Sequence, residues 1–401
     1  MRRTTIILML WMLALAGMAQ TVISGHVMSR LTESPMGDAE VHVGGTNISV
    51  ITNEDGFFSL KLQETPRMIY ISALGHKTSV VDCSTMPDLQ NVNVWLAADG
   101  VMLNTVFAYS PENIIEKALE KIPQNFTPKE ECLTGFYRET VKKKNHFTNI
   151  NEAVISIFKT GYKHDIDRDK VQVIKGRSLM SQKTSDTLSI KIMGGPHEAV
   201  LLDMVKNRDI LFYEKDIPAY RFKMEEGTII DGRPQFVISF YAIGFREYPL
   251  YSGTIYIDME RIAFTRIEAA LDVSDVPKAV EFMLVKKPRG LRFRPKGLTT
   301  TVSFHYDGEY SRLHYVRNIY LFNCDWKRRL FATSYKVVSE IVVTDYKESP
   351  VPKSSKGMFG HNDTLSSDIA DFNDVTFWKD YNILEPSESL ENAVRKLKKR
   401  Q

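Results

Sequence analysis

The chain has few cysteines for its length. Cys83, Cys132 and Cys324 are the three thiols among 401 residues, too few for a disulfide scaffold. Because the number is odd, at least one thiol stays unpaired within the chain, and the spacing does not show whether the other two pair. We favour the interpretation that all three are buried as small apolar residues.

The chain also lacks an excess of charge of either sign. Its formal net charge is +3, which falls to about +1 without Arg2 and Arg3. Nucleic acid and anionic lipid are therefore not expected as electrostatic partners. With 43% hydrophobic and 25% charged residues, the composition is that of a globular protein. The length exceeds one ordinary core, so we expect two or three domains.

Metal-binding motifs are missing as well. None of the nine histidines has a glutamate three residues later, which excludes a zinc site of the His-x-x-Glu type. His197 is followed by a glutamate but lacks the second histidine of a His-Glu-x-x-His helix. His305 and His314 alternate with aromatic residues in predicted strands, and we interpret them as surface or packed side chains. We expect no metal and no cofactor.

The motifs of nucleophilic catalysis are likewise incomplete or absent. Ser156 and Lys159 fit Ser-x-x-Lys, and Lys159 also begins a Lys-Thr-Gly triplet, yet the mechanism needs two separate lysines. The segment alternates like a strand, so residues three apart face opposite sides. Neither a Gly-x-Ser-x-Gly elbow nor a glycine-rich phosphate loop occurs. The sequence therefore indicates no catalytic residue and a protein that is not an enzyme.

The longest hydrophobic run lies at the start of the chain. Residues 1–19 combine a basic start, an apolar run from Ile6 to Leu15, and small residues at Gly17 and Ala19. This pattern predicts a signal peptide cleaved after Ala19. A membrane anchor is the alternative, but the run is shorter than the roughly 20 residues that a span needs. We expect export to the periplasm or outer membrane, with no transmembrane span in the mature chain.

The stretch TNEDGFF at residues 52–58 decides how the following region is interpreted. In an EF-hand register with Gly56 at position 6, Ile51 and Leu62 occupy positions 1 and 12, where calcium requires oxygen ligands. A calcium loop is excluded. Strand-like alternation on both sides and the Asp55-Gly56 pair predict a tight turn of a hairpin instead.

Short alternating segments continue on both sides of this turn. They number about seven between Ile23 and Ala97 and are separated by glycine and proline, which is typical of a small β-sandwich. The segment resembles the carboxypeptidase regulatory-like domain, through Pro35, Ala39, Val41, Thr52, Asn53, Gly56, Phe58 and Gly75. His76 stands where that family usually has tyrosine. The resemblance implies a transthyretin-like sandwich without catalytic residues.

The remainder of the chain predicts a second, larger domain. Ser110-Pro111 followed by an apolar face predicts a connecting helix within residues 99–125. Strand patterns then dominate residues 126–348, interrupted by one helix at about 196–205. The predicted fold is mainly β: a seven-stranded sandwich at residues 20–98, followed by a large curved antiparallel sheet with a few helices.

The C-terminal part changes character. Residues 349–370 are rich in proline, serine, lysine and glycine, which predicts a mobile loop. Residues 371–401 contain an aromatic segment and an amphipathic helix capped by Ser387. The arrangement of the mature chain resembles Bacteroidetes proteins in which such a sandwich precedes an uncharacterised β-rich module. That resemblance implies a cell-envelope location and no known reaction.

Two kinds of modification or binding residue complete the predictions. Asp-Thr-Leu triplets place possible O-glycosylation at Thr187 and Thr364, since they resemble the short acceptor used in Bacteroidetes. Aromatic residues could form a glycan-stacking face, although core packing is the favoured interpretation. These are Tyr306, Tyr310, Tyr315, Tyr320 and Trp326.

We therefore predict an exported envelope protein that binds a protein partner, a glycan or a lipid without catalysis. One alternative is an envelope hydrolase with an unrecognised site in the second domain. Another is a carrier of a hydrophobic ligand, which an apolar cavity of several hundred Å3 would favour.

Overall fold

The computed structural model describes residues 20–99, 110–183, 186, 190–192, 194–326, 331–360, 363, 365 and 377–399. The predicted signal peptide, with its cleavage site at Ala19, lies outside these residues. Within the described ranges, no helix is both long enough and apolar enough to cross a membrane.

Seven short strands form the N-terminal sandwich. Their bounds are β1 Thr21–Ser29, β2 Glu40–Val43, β3 Ser49–Ile51, β4 Phe57–Leu62, β5 Met68–Ser72, β6 Ser79–Asp82 and β7 Val92–Leu96. One sheet has the order β4-β1-β7 and the other β3-β2-β5-β6. Alternate residues of both sheets are buried between them, among them Val41 and Phe58. The predicted seven-stranded sandwich is confirmed.

The TNEDGFF stretch is a turn, but it does not close a hairpin. The Asn53 side chain accepts hydrogen bonds from the backbone of Asp55 and Phe57, both at 2.9 Å, and Gly56 has a φ of 73°. β3 before the turn and β4 after it belong to different sheets. The turn therefore crosses from one layer of the sandwich to the other, a difference that local alternation does not reveal.

The second part of the chain is built on an 11-stranded sheet. Its strands are β8 Glu131–Lys143, β9 His146–Lys159, β10 Lys170–Met180, β12 Tyr220–Met224, β13 Thr228–Ile230, β14 Arg233–Ala242, β15 Tyr251–Asp258, β16 Ala263–Leu271, β18 Leu291–Tyr306, β19 Ser311–Trp326 and β20 Thr333–Glu348. The order is β10-β9-β8-β20-β19-β18-β16-β15-β14-β12, with β13 beside β14, and all neighbours are antiparallel. The large antiparallel sheet is thus confirmed. A separate pair joins β11 Lys191–Ile192 to β17 Leu284–Lys286.

Five α-helices accompany the strands in the described residues. They are α1 Pro111–Glu120, α2 Ile122–Asn125, α3 Pro196–Leu201, α4 Val276–Met283 and α5 Glu388–Lys398. Ser110 caps α1 through the backbone of Asn113, as its sequence predicts. The helix predicted at about 196–205 ends earlier, at Leu201.

The large sheet has two differently covered faces. On what we call the helix face, the main core includes sheet residues such as Tyr137 together with buried residues of α1 to α4. On the opposite sandwich face, Phe136 packs with Ile51 of the sandwich and with Trp378 of the C-terminal segment. Phe136 and Tyr137 are neighbours in β8 but belong to hydrophobic clusters on opposite faces, because successive side chains of a strand point to opposite sides of the sheet.

The C-terminal segment also lies on the sandwich face. Leu390 and Leu397 of α5 pack against Ile150 and Leu179 of the large sheet. Ser387 caps α5 by accepting a hydrogen bond from the Leu390 backbone. Within the stretch predicted to be a mobile loop, the Phe359 backbone donates to Val171 O at 2.7 Å.

The three cysteines are buried free thiols. Cys83 belongs to the sandwich core and Cys324 to the main core of the helix face. Burial raises the pKa of all three thiols. The interpretation of these residues as small apolar core side chains is confirmed.

Candidate functional site

An apolar pocket of about 590 Å3 lies on the helix face, between α3, α4 and the large sheet. Its lining combines apolar and aromatic side chains with a smaller polar group. The apolar and aromatic residues are Leu201, Leu202, Ile210, Tyr248, Pro249, Tyr251, Phe282, Leu298 and Tyr320, and the polar ones are Glu198, Asn207, Glu247, Lys278 and Glu281. Such a size and lining are typical of small-molecule sites.

The floor of the pocket is formed by strands of the sheet. Leu298 of β18 lies opposite Tyr320 of β19 in the antiparallel register. Tyr251 begins β15, and its ring meets that of Phe282 in α4 edge-on, with 6.3 Å between centroids. Strand alternation therefore supplies the floor, while α3 and α4 supply the walls.

The hydroxyl of Tyr251 is a polar group in the floor of the pocket. The residue is 2% exposed, and its hydroxyl has no hydrogen-bond partner among the described residues. Burial raises the pKa of Tyr251, and the neighbouring phenols of Tyr320 and Tyr220 raise it further. The hydroxyl therefore stays protonated and can donate to a ligand. An unpartnered buried hydroxyl is costly, which makes it a marker of a site prepared for a partner.

A second pocket of about 740 Å3 adjoins the first. The two share Leu201, Asn207, Ile210, Tyr248, Pro249, Tyr251 and Phe282. The second pocket is more polar, since Tyr162, Lys206 and several residues of the segment 163–167 line it. Together the pockets form a continuous groove with an apolar and a polar end.

A buried network of charges holds the turn after α3 in place. The ammonium of Lys159 lies 3.0 Å from Asp203 and 3.1 Å from Asp169. Lys206 Nζ donates to Asp169 Oδ1 and to Thr160 O, both at 2.6 Å. Burial and the charge of Lys159 lower the pKa of Lys206 to about 8. Because each ammonium is bound by buried acceptors, the network positions the turn that carries Asn207 and Ile210 to the groove.

The mouth of the groove exposes apolar side chains. Phe245, Tyr248 and Phe282 are 77%, 45% and 37% exposed. Asp216 holds this loop by accepting hydrogen bonds from Tyr248 Oη and Arg246 Nε, both at 2.7 Å. Lys278 of α4 places its ammonium 3.6 Å from the centre of the Phe245 ring. The loop is therefore fastened in an orientation that keeps its aromatic rings outward.

Two of the five aromatic residues proposed as a glycan-stacking face, Tyr315 and Tyr320, lie on opposite faces of the large sheet. Tyr315 is buried on the sandwich face, whereas Tyr320 is buried on the helix face and lines the pocket. Tyr306 and Tyr310 flank the turn between β18 and β19, and Trp326 ends β19. Residues 315 and 320 have opposite parity in one strand, which explains their separation. Tyr315 and Tyr320 therefore do not share a face, and glycan stacking by these aromatic residues stays a prediction.

The other predicted sites have no structural counterpart to compare. Thr187 and Thr364, the possible O-glycosylation sites, lie outside the described residues, so glycosylation stays a prediction. The pocket has one local signal in the sequence, the aromatic pair Phe245 and Tyr248 in the loop between β14 and β15. The sequence gives no sign that Glu40 and His42 lie beside His305 and His314, which it indicates only as surface or packed side chains.

Comparison with known proteins identifies one part of the chain. Residues 23–108 match the family model of the CarboxypepD_reg-like domain. No curated protein matches the chain.

The similarity to solved structures is low, as three of those that match illustrate. A LolA superfamily protein from Nitrosomonas europaea is 14% identical, with a TM-score of 0.24, over 62% of this chain and 97% of that one. A DUF1329 family protein from Desulfovibrio piger is 8% identical, with a TM-score of 0.26, over 62% and 98%. Lipovitellin is 8% identical, with a TM-score of 0.27, over 57% and 26%. Scores this low give these likenesses no weight for function. The family assignment thus rests on the N-terminal sandwich, which matches the CarboxypepD_reg-like domain.

Proposed function

We propose that this protein is exported to the cell envelope and binds an amphiphile with an apolar chain, such as a lipid, without transforming it. The observation that carries this proposal is the apolar pocket between α3, α4 and the sheet, with the unpartnered Tyr251 hydroxyl in its floor. The signal-like residues 1–19 support export.

The chemistry of the groove favours an amphiphile over a glycan or a protein segment. Its apolar end would bury an acyl chain, with a gain of roughly 0.8 kcal/mol per buried methylene. Its polar end offers side chains such as Lys163 and His164 to a head group. Lys206 is held by Thr160 and Asp169 and is not counted among the ligand-binding groups.

The proposal is tested with purified protein beginning at residue 20 and a fluorescent long-chain fatty acid as the probe. Leu201→Trp fills the apolar end and is expected to weaken probe binding at least tenfold. Phe282→Ala removes a wall and should weaken it several-fold. The matched control is Phe331→Ala, because Phe331 is 84% exposed and lies outside the pocket lining.

Tyr251→Phe separates the polar from the apolar contribution. The variant should retain its fold, because the hydroxyl has no partner to lose among the described residues. Binding of the fatty acid should weaken if its carboxyl accepts from Tyr251, while a pure alkane probe should bind equally to both proteins. Probe binding that is unsaturable, or equal in Leu201→Trp and wild type, would rule the pocket out as the ligand site.

A further inference from the structure

A cluster of metal-ligating side chains lies where the sandwich meets the large sheet. Glu40 and His42 come from β2 of the sandwich, and His305 comes from β18 of the sheet. One potential ligand atom from each of the three lies within 4.8 Å of the others. His314 of β19 adjoins the group, with its Nε2 3.7 Å from Glu40 Oε2.

The local structure explains how these residues converge. Glu40 and His42 are two apart in a strand, so they share the face opposite to the buried Val41. His305 and His314 lie on the two strands of one hairpin. A β-bulge skips His314 in the pairing, because Phe304 pairs with Leu313 and Ser303 with Tyr315. The extra residue turns His314 toward the sandwich.

The polar atoms of this cluster are not otherwise satisfied. Glu40 Oε1, His42 Nδ1, His305 Nδ1 and His314 Nε2 are buried without a hydrogen-bond partner among the described residues. His305 Nδ1 lies only 2.7 Å from Glu40 Oε1, yet the two lack the alignment of a hydrogen bond. The centroids of the His42 and His305 rings are 4.7 Å apart. Several unpaired nitrogen and oxygen atoms close to one another are the groups that a cation would satisfy.

We propose that Glu40, His42 and His305, with His314 as a fourth ligand, bind a divalent transition metal ion of the zinc class. Imidazole nitrogen and carboxylate oxygen are the ligands that such ions take in four-coordinate sites. Tetrahedral coordination at about 2.1 Å needs ligand atoms roughly 3.4 Å apart. The ligand atoms of Glu40, His42 and His305, which lie within 4.8 Å of one another, would have to approach by up to about 1.4 Å, and His314, which lies outside that group, would have to turn towards them. A small cavity of about 50 Å3, lined by Glu40, His314 and Asp231, lies beside it.

A metal ion at this site would make the contact between the sandwich and the large sheet depend on metal. Two ligands belong to the sandwich and two to the large sheet, so the ion would fasten one to the other. This inference is independent of the proposed ligand pocket, which lies on the helix face.

The experiment uses purified protein from residue 20 onward, without a histidine tag and stripped with a chelator. Titration with Co2+ should produce the visible absorption of a tetrahedral complex at one equivalent, and Zn2+ should abolish that absorption by displacement. Zn2+ should also raise the Tm, because a ligand that binds only the folded state stabilises it.

Substitutions of the proposed ligands test whether the ion binds at this site. His42→Asn and His305→Gln should each weaken Zn2+ binding more than roughly tenfold, since even outer-shell changes cost about that much. His146→Asn is the matched control, because His146 is exposed at the start of β9 and should leave binding unchanged. Circular dichroism verifies that each variant is folded, and Glu40→Gln replaces any variant that is not.

The results distinguish the alternatives directly. Wild-type protein without a Co2+ spectrum and without a Zn2+-dependent Tm shift overturns the proposal and leaves an ion pair between Glu40 and His305. An equal loss of affinity in His146→Asn would also overturn it.

Discussion

At the scale of single residues, the buried charges of the helix face are the most constrained feature. Asp203 is fully buried and accepts hydrogen bonds from Lys159 and from the hydroxyl of Tyr162, at 3.0 and 2.7 Å. Removing one partner of such a network leaves a buried charge without compensation. In the sequence, Lys159 stands out only through the rejected Ser-x-x-Lys match, because its partners Asp169 and Asp203 lie about ten and forty residues away.

We expect Asp203→Asn to lower the free energy of unfolding by about 3 kcal/mol. The amide keeps the shape of the side chain but removes the charge that stabilises Lys159. Urea unfolding followed by tryptophan fluorescence measures the change. Asp167→Asn is the control, because Asp167 is exposed on the neighbouring loop, and it should change stability by less than about 0.5 kcal/mol. Equal stability of the two variants would contradict a structural role for the network.

Glu152 links two strands to the C-terminal segment. Its carboxylate accepts from Arg138 and Arg177 at 2.8 and 2.7 Å, and Arg138 donates in turn to Leu384 O at 2.7 Å. Burial alone would raise the pKa of Glu152, but the two guanidinium groups outweigh it and hold the pKa below the usual 4.5. Its contribution to stability is therefore present above about pH 4.5 and is lost as the pH falls through the lower folded value.

The matching prediction concerns the acid limb of the stability curve. Wild-type protein should lose stability more steeply below pH 4.5 than Glu152→Gln, which should already be less stable at pH 7. Urea midpoints measured from pH 7 to pH 3 give the two curves. The difference between them isolates Glu152 from the other titrating groups. Parallel curves would show that Glu152 does not have a lowered pKa.

At the scale of elements, the TNEDGFF turn has a role beyond joining two strands. Asp55 accepts a hydrogen bond from the Glu388 backbone at the first residue of α5, at 2.6 Å. Asn53 donates to Pro386 O at 2.9 Å, directly before that helix. A carboxylate at a helix N-terminus satisfies a free amide and interacts favourably with the helix dipole. The turn therefore fastens α5 to the sandwich.

We expect Asp55→Ala to loosen α5 without unfolding the sandwich. Amide exchange in residues 388–398 should accelerate roughly fivefold, the ratio that follows from about 1 kcal/mol of lost capping energy. Hydrogen exchange measured by mass spectrometry on peptides reports this directly. Glu64→Ala is the control for losing an exposed carboxylate of the sandwich. Unchanged exchange in α5 would mean that Ser387 caps the helix sufficiently by itself.

Element boundaries show where sequence patterns suffice. Ser110 and Ser387 begin α1 and α5 as predicted, because an N-cap depends on groups within one turn of the helix. The hairpin of β18 and β19 turns at Asp307-Gly308, a pair that favours a turn for the same local reason. Its bulge at His314 has no such local signal, because a bulge changes pairing with the partner strand while leaving the residue pattern similar.

At the scale of the whole molecule, the sandwich and the large sheet share a hydrophobic cluster. Ile51 of the sandwich packs with Phe136 and Tyr315 of the sheet and with Trp378 of the C-terminal segment. Arg317 of the sheet adds an ion pair to Asp38, with 3.3 Å between the charged atoms. Parts that share a core lose it together when either unfolds.

We therefore expect one calorimetric transition for the wild-type protein. Ile51→Asp, which places a charge in the shared cluster, should split it into two or lower its midpoint strongly. Leu31→Asp is the matched control, because Leu31 is 76% exposed on the sandwich, and it should leave the transition single. Two separate peaks in the wild-type protein would show that the parts unfold independently.

The sequence by itself determined the features that follow from the side-chain periodicity of a regular element, which is two residues in a strand and about four in a helix. Side chains alternate along a strand and recur along a helix, so the seven sandwich strands, the β-rich second part and the helix caps could be predicted locally. Tertiary structure alone decided which faces meet. Tyr335 of β20 pairs with Lys143 of β8, β2 brings Glu40 and His42 to His305, and α3 and α4 enclose the pocket over the sheet. Local periodicity carries no information about contacts between distant segments, because those depend on how the complete set of apolar faces is buried at once.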